Sequence, residues 1–274
     1  MKSISSILFL FVLLFHTNAG HTQTIQNLKS RHWTLHLLKK GSGFNKNDIK
    51  KRESMLDNKG CARLDGSPDI CFGVLDPGTG LVLKAPFSKF IIGYDQGETR
   101  TKYVYAFSSE GKVLNKIEAN LYPIVRFSAN GSYAVISDMF GPKFIVVNDK
   151  GRIVYQCDDY KKLNIPKEEP LLYVDISDKG DFVLVSSSGL RKIRIKDQKT
   201  VWHSSRNIDN SFIDHTKNRI YTTCTSDNPR LTDIVIFDLN TGKELDRLTG
   251  FEYAYFAENK LFITHQNESY EYEI

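Results

Sequence analysis

The stretch YPIVRFSANGSYAVISDMFGPKFIVVNDKGRIVYQCD, residues 122–158, decides how the rest of the chain is interpreted. It contains four short runs in which apolar and polar residues alternate, and a period of two predicts β-strands. Asn130-Gly131 separates the first run from the second, and Lys150-Gly151 separates the third from the fourth. Tight hairpin turns need positive φ angles, which glycine and asparagine adopt at low cost. The stretch therefore predicts four antiparallel strands.

Related units with the same pattern fill residues 80–274. The turns between their third and fourth runs fall at residues 111, 151, 198 and 242, which are 40, 47 and 44 residues apart. A repeat of this length is typical of the four-stranded blades of a β-propeller. We therefore predict an all-β fold in which residues 80–274 form a propeller of five blades, with six blades as the alternative.

The last unit, residues 251–274, is one strand short, and the chain has a strand to spare near its N-terminus. Residues 32–40 alternate in hydrophobicity, with Trp33, Leu35 and Leu37 on one face. A ring of blades is stable only when its exposed strand edges are covered. We predict that residues 32–40 supply the missing outer strand of the last blade and so close the ring.

The segment that precedes the repeats, residues 21–79, lacks their regular pattern. Within it, residues 47–58 suggest a short helix outside the ring. Asn47 is a suitable N-cap, Asp48 suits the positive end of a helix, and Gly60 is a natural stop.

The first twenty residues have the layout of a secretory signal peptide. Lys2 precedes the apolar run Ile7–Phe15, and small residues Ala19 and Gly20 follow it. The run is too short to be assigned as a membrane span. We expect a mature protein that is secreted or periplasmic, without a membrane span, and monomeric.

Composition and charge limit the function classes. The chain is 41% apolar and 12% aromatic, which suits a packed β-fold rather than a disordered chain. The net charge is +5, and basic residues cluster in residues 39–52. No nucleic-acid-binding signature accompanies this cluster, so we expect a solvated flank and no nucleic-acid partner.

The cysteines fall into two groups. Cys61 and Cys71 enclose nine turn-rich residues, and an exported protein would hold them as a disulfide. Cys157 and Cys224 lie in different repeats and are interpreted as buried apolar side chains. No cysteine or histidine spacing indicates a metal site, and we expect no cofactor.

The repeats resemble those of the WD-repeat family and its quinoprotein-like relatives. Residues 127–138, FSANGSYAVISD, are similar to the inner hairpin of a WD repeat, and residues 238–250, DLNTGKELDRLTG, to its outer turn. The Trp-Asp pair of that family is replaced by Phe237-Asp238. The resemblance implies the propeller fold and transfers no residue-level function.

A ligand site is expected where the innermost strands reach one mouth of the central channel. Aligning those strands on their turns places Arg126, Asp175, Ile213 and Tyr255 at equivalent positions, and Asp214 lies beside Ile213. The candidate ligand-binding residues are therefore Arg126, Asp175, Asp214 and Tyr255. Carboxylates beside an arginine and a tyrosine could bind a sugar or hydrolyse a glycosidic bond. The alternative for Asp214 is that it caps its own turn, a common role of aspartate.

These observations favour an exported binding or scaffold module that recognises a glycan, a peptide or a protein partner. The insert at residues 158–170 is charged and contains proline, and it is a candidate contact loop. Two other classes stay open. A propeller glycosidase or lyase would use carboxylates at the channel mouth, and a redox quinoprotein would carry a bound chromophore.

Overall fold

The computed structural model describes residues 36–42, 52–64, 66, 68–97, 99–163, 165, 171, 173–187, 189–257, 260–266 and 268–274. The proposed signal peptide (1–20), the first part of the strand predicted at 32–40 and residues 47–51 of the predicted helix lie outside these residues. So does most of the second half of the insert at 158–170.

The described residues form an all-β fold with a single helical turn, α1 (Tyr160–Leu163), and a 3-10 turn at Pro86–Ser88. In chain order the strands are β1 (His36–Ser42), β2 (Glu53–Met55), β3 (Cys61–Ala62), β4 (Ile70–Cys71), β5 (Gly80–Lys84), β6 (Phe90–Asp95), β7 (Thr101–Ser108), β8 (Val113–Leu121), β9 (Pro123–Phe127), β10 (Tyr133–Asp138), β11 (Phe144–Asn148), β12 (Ile153–Cys157), β13 (Tyr173–Ile176), β14 (Phe182–Ser187), β15 (Gly189–Arg194), β16 (Lys199–Ser204), β17 (Asn210–Asp214), β18 (Arg219–Thr225), β19 (Thr232–Asp238), β20 (Glu244–Phe251), β21 (Tyr253–Ala257), β22 (Lys260–His265) and β23 (Glu268–Glu273).

The strands pair into antiparallel sheets of the kind found in propeller blades. Strands β5–β8, β9–β12, β13–β16 and β17–β20 each pair in sequence order, and we call these sheets blades 1 to 4. Blade 5 consists of β21, β22, β23 and β1, in that order. Strand β2 adds to β5 at the edge of blade 1, and β3 pairs only with β4.

The predicted hairpin chemistry is seen in blade 2. Gly131 and Gly151 have φ angles of 67° and 74°, which place them in the left-handed region that glycine tolerates. The side-chain oxygen of Asn148 accepts hydrogen bonds from the backbone amides of Lys150 and Arg152 and so stabilises the second turn. The strands predicted from residues 122–158 are confirmed, each within two residues at its ends.

Strand β1 pairs with the last strand of the chain. It runs antiparallel to β23, with Leu37 opposite Tyr272 and Lys40 opposite Tyr270. The Lys40 ammonium also lies 2.8 Å from the Glu268 carboxylate. Strand β1 therefore takes the outer position of the sheet formed by β21, β22 and β23, which the sequence leaves empty.

Consecutive blades are joined by apolar contacts because successive residues of a strand face opposite sides of their sheet. In β10, Ala134 and Ile136 belong to a buried cluster with Ile92 of blade 1. The residue between them, Val135, belongs to a cluster with Val183 of blade 3. Similar buried clusters join blade 3 to blade 4 and blade 4 to blade 5.

The remaining face of blade 1 packs against the N-terminal segment instead of another blade. Leu56, Leu64 and Phe72 are buried there against Val82 and Ile91. Residues 56–75 thus supply the apolar layer that a neighbouring blade supplies elsewhere.

The predicted helix at residues 47–58 is wrong over its described part. Glu53–Met55 form β2, with Ser54 opposite Val82 of β5, and Asp57 then accepts hydrogen bonds from the backbone amides of Lys59 and Cys61 in a turn. A short isolated helix is only marginally stable in water. The edge of β5, by contrast, has backbone groups without hydrogen-bond partners, and a strand that pairs with this edge satisfies them. Pairing with β5 therefore outweighs the local signals for helix capping.

Cys61 and Cys71 form a disulfide, and their Cα atoms are 3.9 Å apart across β3 and β4. The bridge closes the hairpin whose flanking residues Leu64 and Phe72 are buried against blade 1. Cys157 and Cys224 are buried and take no part in this disulfide.

The insert that begins at residue 158 is partly anchored in the core. Leu163, at the end of α1, and Ile165 are buried in the cluster between blades 2 and 3. Its described first half is therefore a packed element as well as a candidate contact surface. No helix among the described residues has the length and apolar character needed to cross a membrane.

Candidate functional site

A cavity of about 650 Å³ lies among the innermost strands of all five blades. It sits near the ends of these strands, where each chain segment turns into the second strand of its blade. Its wall is formed by Arg52, Glu53, Leu83, Lys84, Pro86, Phe87, Val125, Arg126, Phe127, Ser128, Ala129, Tyr173, Asp175, Ile176, Asp178, Asn210, Ser211, Phe212, Ile213, Tyr255 and Phe256. Three of the four residues predicted from the sequence are in this wall, which are Arg126, Asp175 and Tyr255.

A hydrogen-bonded group of three side chains occupies the junction of blades 3 and 4. The Tyr173 hydroxyl donates to Asp175 Oδ2 at 2.8 Å, and the Ser211 hydroxyl donates to the same oxygen at 2.9 Å. The backbone amide of Ile176 donates to Asp175 Oδ1 at 2.8 Å, and the amide of Ser211 donates to the Tyr173 hydroxyl oxygen at 3.1 Å. Because both carboxylate oxygens are engaged, the group is held in one arrangement.

Burial controls the protonation of this group. Asp175 is 8% exposed and Tyr173 is 3% exposed. Burial raises the pKa of Asp175 above its ordinary value, although the Tyr173 hydrogen bond and the Arg126 charge act in the opposite direction. Burial also raises the pKa of Tyr173, so its hydroxyl remains a hydrogen-bond donor at any physiological pH.

Arg126 lies over the aromatic ring of this group. Its guanidinium carbon is 4.1 Å from the centre of the Tyr173 ring, which is a cation–π contact. The side chain is half-buried. Among the described residues, the guanidinium forms no hydrogen bond and no ion pair, so its N–H edge is available to a group inside the cavity.

Asp214, the fourth residue predicted from the sequence, is not among the residues that form the cavity wall. Its carboxylate accepts hydrogen bonds from the backbone amides of Thr216 and Lys217, both at 2.9 Å, and it pairs with the Lys217 ammonium at 3.4 Å. Asp214 therefore caps its own turn, as the alternative interpretation stated. A period-two pattern places a residue on a strand, but it cannot tell whether a terminal carboxylate folds back onto the next turn.

Asp178 and Asn130 connect two neighbouring turns at the cavity. Asp178 Oδ1 accepts the backbone amide of Asn130 at 2.8 Å, and the Asn130 side chain donates to the Asp178 carbonyl oxygen at 3.2 Å. The backbone amide of Asp178 in turn donates to His215 Nε2 at 3.3 Å. These bonds link the turns of blades 2, 3 and 4.

Phe87 is a cavity residue that the sequence analysis did not identify. It is 76% exposed and has a φ of 56°, an unfavourable conformation for a bulky residue. Strain of this kind amounts to roughly 1–3 kcal/mol and concentrates at functional positions. A signal was available, because Pro86 and Phe87 replace the Gly-containing turn that the corresponding hairpin of blade 2 has.

Tyr173 and Ser211 were also missed. Tyr173 could have been found, because it lies two residues before Asp175 on the same strand and so shares its face. Ser211 could not, because its hydrogen bond to Asp175 depends on how blades 3 and 4 meet.

A second cavity of about 420 Å³ lies at Ser205, Arg206, Asn207, Asp209, Cys224 and Thr225. Burial raises the pKa of Cys224 to about 11, so its thiol is protonated and unreactive at neutral pH. Within the described ranges, no group of three or more histidine, cysteine, aspartate or glutamate residues is arranged to hold a metal ion.

No protein-family model matches the chain, and no curated protein is significantly similar to it. Solved structures with a related arrangement of strands include the computationally designed Ika8 protein, with 13% identity and a TM-score of 0.46 over 70% of this chain and 58% of that one. Saccharomyces cerevisiae Sqt1 has 12% identity and a TM-score of 0.43 over 68% of this chain and 65% of that one. Chaetomium thermophilum Raptor has 13% identity and a TM-score of 0.48 over 70% of this chain and 18% of that one.

The chain thus spans less than two thirds of each of these structures. At such low identities and TM-scores, the similarities say nothing about a ligand or partner. The function is therefore argued from the cavity.

Proposed function

We propose that this protein is an exported β-propeller binding module whose ligand, a glycan, a peptide or a segment of a partner protein, enters the central cavity. The observation that supports this proposal is the cavity wall, to which all five blades contribute and in which Arg126 presents an unpaired edge. Ligand sites are typically concave, mostly apolar and provided with a few fixed polar groups. The group formed by Tyr173, Asp175 and Ser211 meets the last condition.

The proposal includes a closed ring of five blades. Its support is the pairing of β1 with β23 and the contribution of every blade to one cavity. In this arrangement residues 56–75 would seal the junction between the last blade and the first, because they already cover the free face of blade 1.

Export is supported by two features of the chain. The first twenty residues have the layout of a signal peptide. The disulfide between Cys61 and Cys71 would persist in an oxidising compartment such as the periplasm or the extracellular space.

Binding is favoured over glycoside hydrolysis because two of the three carboxylates in the cavity wall, Asp175 and Asp178, already accept hydrogen bonds from the protein. Hydrolysis requires two carboxyl groups that face one bond. Asp175 accepts bonds from Tyr173 and Ser211, and Asp178 accepts the Asn130 amide.

The test is a glycan and peptide array probed with residues 21–274, followed by repeats with variants. Arg126→Ala and Tyr255→Ala change the cavity wall, whereas Asp214→Ala removes a polar side chain that caps a turn outside it. We expect the first two to abolish the binding signal and the third to preserve it. A signal that survives both cavity variants would refute the cavity as the binding site.

A further inference from the structure

We propose that the ligand of this cavity is a short oligosaccharide that contains a uronic acid, and that Arg126 binds the uronate carboxylate. This inference rests on the proposed binding function and adds the chemical class of the ligand. Three features of the cavity wall support it. They are the contact of Arg126 with Tyr173, the hydrogen bonds that Asp175 already accepts, and the aromatic rings of Phe87 and Tyr255.

The orientation of Arg126 is fixed by its contact with Tyr173. The guanidinium lies over the ring at 4.1 Å. The ring is itself held by its hydroxyl, which donates a hydrogen bond to Asp175 and accepts one from the backbone amide of Ser211. A guanidinium carries its N–H groups in its own plane, in a rigid fork. A planar fork of this kind matches a carboxylate, which accepts two parallel hydrogen bonds.

The Asp175 carboxylate accepts its hydrogen bonds from groups other than Arg126. Asp175 already accepts hydrogen bonds from two hydroxyl groups and one backbone amide, and burial raises its pKa. No ion pair joins Arg126 to Asp175, and none joins it to any other described residue. A half-buried guanidinium without a paired anion favours a ligand that brings its own negative charge.

The aromatic residues of the cavity wall favour a sugar as the ligand that brings this negative charge. Phe87 is mostly exposed in a strained conformation, and Tyr255 contributes a half-buried ring from blade 5. Sugar rings combine apolar C–H faces, which pack on aromatic rings, with hydroxyl groups that bond to polar side chains such as Ser211. A volume of about 650 Å³ lies within the range of small-ligand sites and suits two or three sugar rings.

The experiment is isothermal titration of residues 21–274 with trisaccharides of galacturonate and of glucuronate. The matched ligands are the same trisaccharides with every carboxylate converted to its methyl ester, which removes the charge and preserves the sugar rings. We expect binding of at least one acid form and at least a tenfold weaker affinity for its ester.

The protein variants are Arg126→Met and Arg126→Lys, with Arg63→Met as the control because Arg63 is exposed and outside the cavity. We expect roughly a 10- to 100-fold loss of affinity for Arg126→Met, a smaller loss for Arg126→Lys and none for Arg63→Met. Thermal unfolding of each variant checks that the cavity is still folded.

Three results would overturn the inference, and they bear differently on the proposed function. Equal affinities for acid and ester, with binding lost in Tyr255→Ala, would retain the cavity as a binding site but reject the carboxylate. Binding only of peptides with a free C-terminal carboxylate would retain Arg126 and reject the sugar. No binding of either uronate trisaccharide at millimolar concentration would reject the inference, and the array would then decide on the binding function separately.

Discussion

Asn210 Oδ1 accepts a hydrogen bond from the backbone amide of Phe256 at 2.7 Å, and this bond joins the innermost strand of blade 4 to that of blade 5. Asn210 is 7% exposed, and Phe256 is buried in the cluster between these blades. Asn210→Ala would leave a buried N–H group without its acceptor. We expect the free energy of unfolding to fall by about 1–3 kcal/mol, measured by urea denaturation.

Asn240→Ala is the control for this variant, because Asn240 lies in an exposed turn. A surface substitution of this kind changes stability by about 0.5 kcal/mol or less. If the two variants unfolded at the same urea concentration, the bond between blades 4 and 5 would not contribute to stability.

Gly131 and Gly78 provide a matched test of the contact between blades 1 and 2. Both have positive φ angles, of 67° and 82°. A Cβ atom at Gly131 would lie 2.1 Å from the Pro86 carbonyl oxygen, whereas a Cβ atom at Gly78 would have no neighbour within 4 Å. Both alanine variants carry the strain of a left-handed residue, about 1–2 kcal/mol, and only Gly131→Ala also has the clash.

We therefore expect Gly131→Ala to be less stable than Gly78→Ala by at least about 1 kcal/mol in urea denaturation. Equal stabilities would mean that the turn of blade 2 is not in close contact with Pro86.

Local turn chemistry and the number of strands in each repeat made part of this fold predictable from the sequence. The hairpins of blade 2 were predictable because Asn130-Gly131 and Lys150-Gly151 act locally and the apolar period continues on either side. The outer position of β1 was predictable because the last blade lacks a strand. In each case the deciding information lies within one repeat or in the count of strands.

The strand at residues 53–55 was not predicted because it depends on a partner that is distant in sequence. Residues 53–55 form a strand because β5 has a free edge, and no local signal reveals that edge. Asp214 turns toward its own loop, whereas Asp175 is fixed by Ser211 from the next blade. Both aspartates lie on an innermost strand, and only the packing of the blades separates their roles.

The disulfide should stabilise the N-terminal segment against blade 1. Reduction, or the variant Cys61→Ser/Cys71→Ser, should lower the free energy of unfolding by about 2–3 kcal/mol, since the bridge restricts the unfolded chain. Wild-type protein should lose stability in the presence of a reductant, and the double variant should be insensitive to it. A thiol reagent should find no reactive cysteine in the oxidised folded protein, because Cys157 and Cys224 are buried.

The raised pKa of Asp175 has a consequence for stability as a function of pH. The folded protein retains the proton of this carboxyl group to a higher pH than the unfolded chain, whose aspartates titrate near a pKa of about 3.9. Stability falls with pH wherever the folded state binds more protons. The contribution of Asp175 is therefore present below pH ~4 and is lost as the pH rises through the folded-state pKa.

Asp175→Asn removes this titration and keeps a side chain of the same shape. We expect the difference in unfolding free energy between the variant and the wild type to shift in favour of the variant as the pH is raised from 3.5 to 7 (roughly the span between the unfolded-state pKa and neutrality). A difference that is constant with pH, or that shifts in favour of the wild type, would contradict the raised pKa.

Leu37 and Leu38 test whether β1 stabilises the fold through blade 5. Leu37 packs against the buried cluster between blades 4 and 5, whereas Leu38 on the opposite face is 50% exposed. We expect Leu37→Ala to lower the free energy of unfolding by about 1–3 kcal/mol and Leu38→Ala by about 0.5 kcal/mol or less, measured by urea denaturation.

A protein that begins at residue 52 lacks β1 altogether and exposes the edge of β23, so it should unfold at a lower temperature and self-associate in sedimentation experiments. If this shortened protein were as stable and as monodisperse as residues 21–274, the pairing of β1 with β23 would not close the ring.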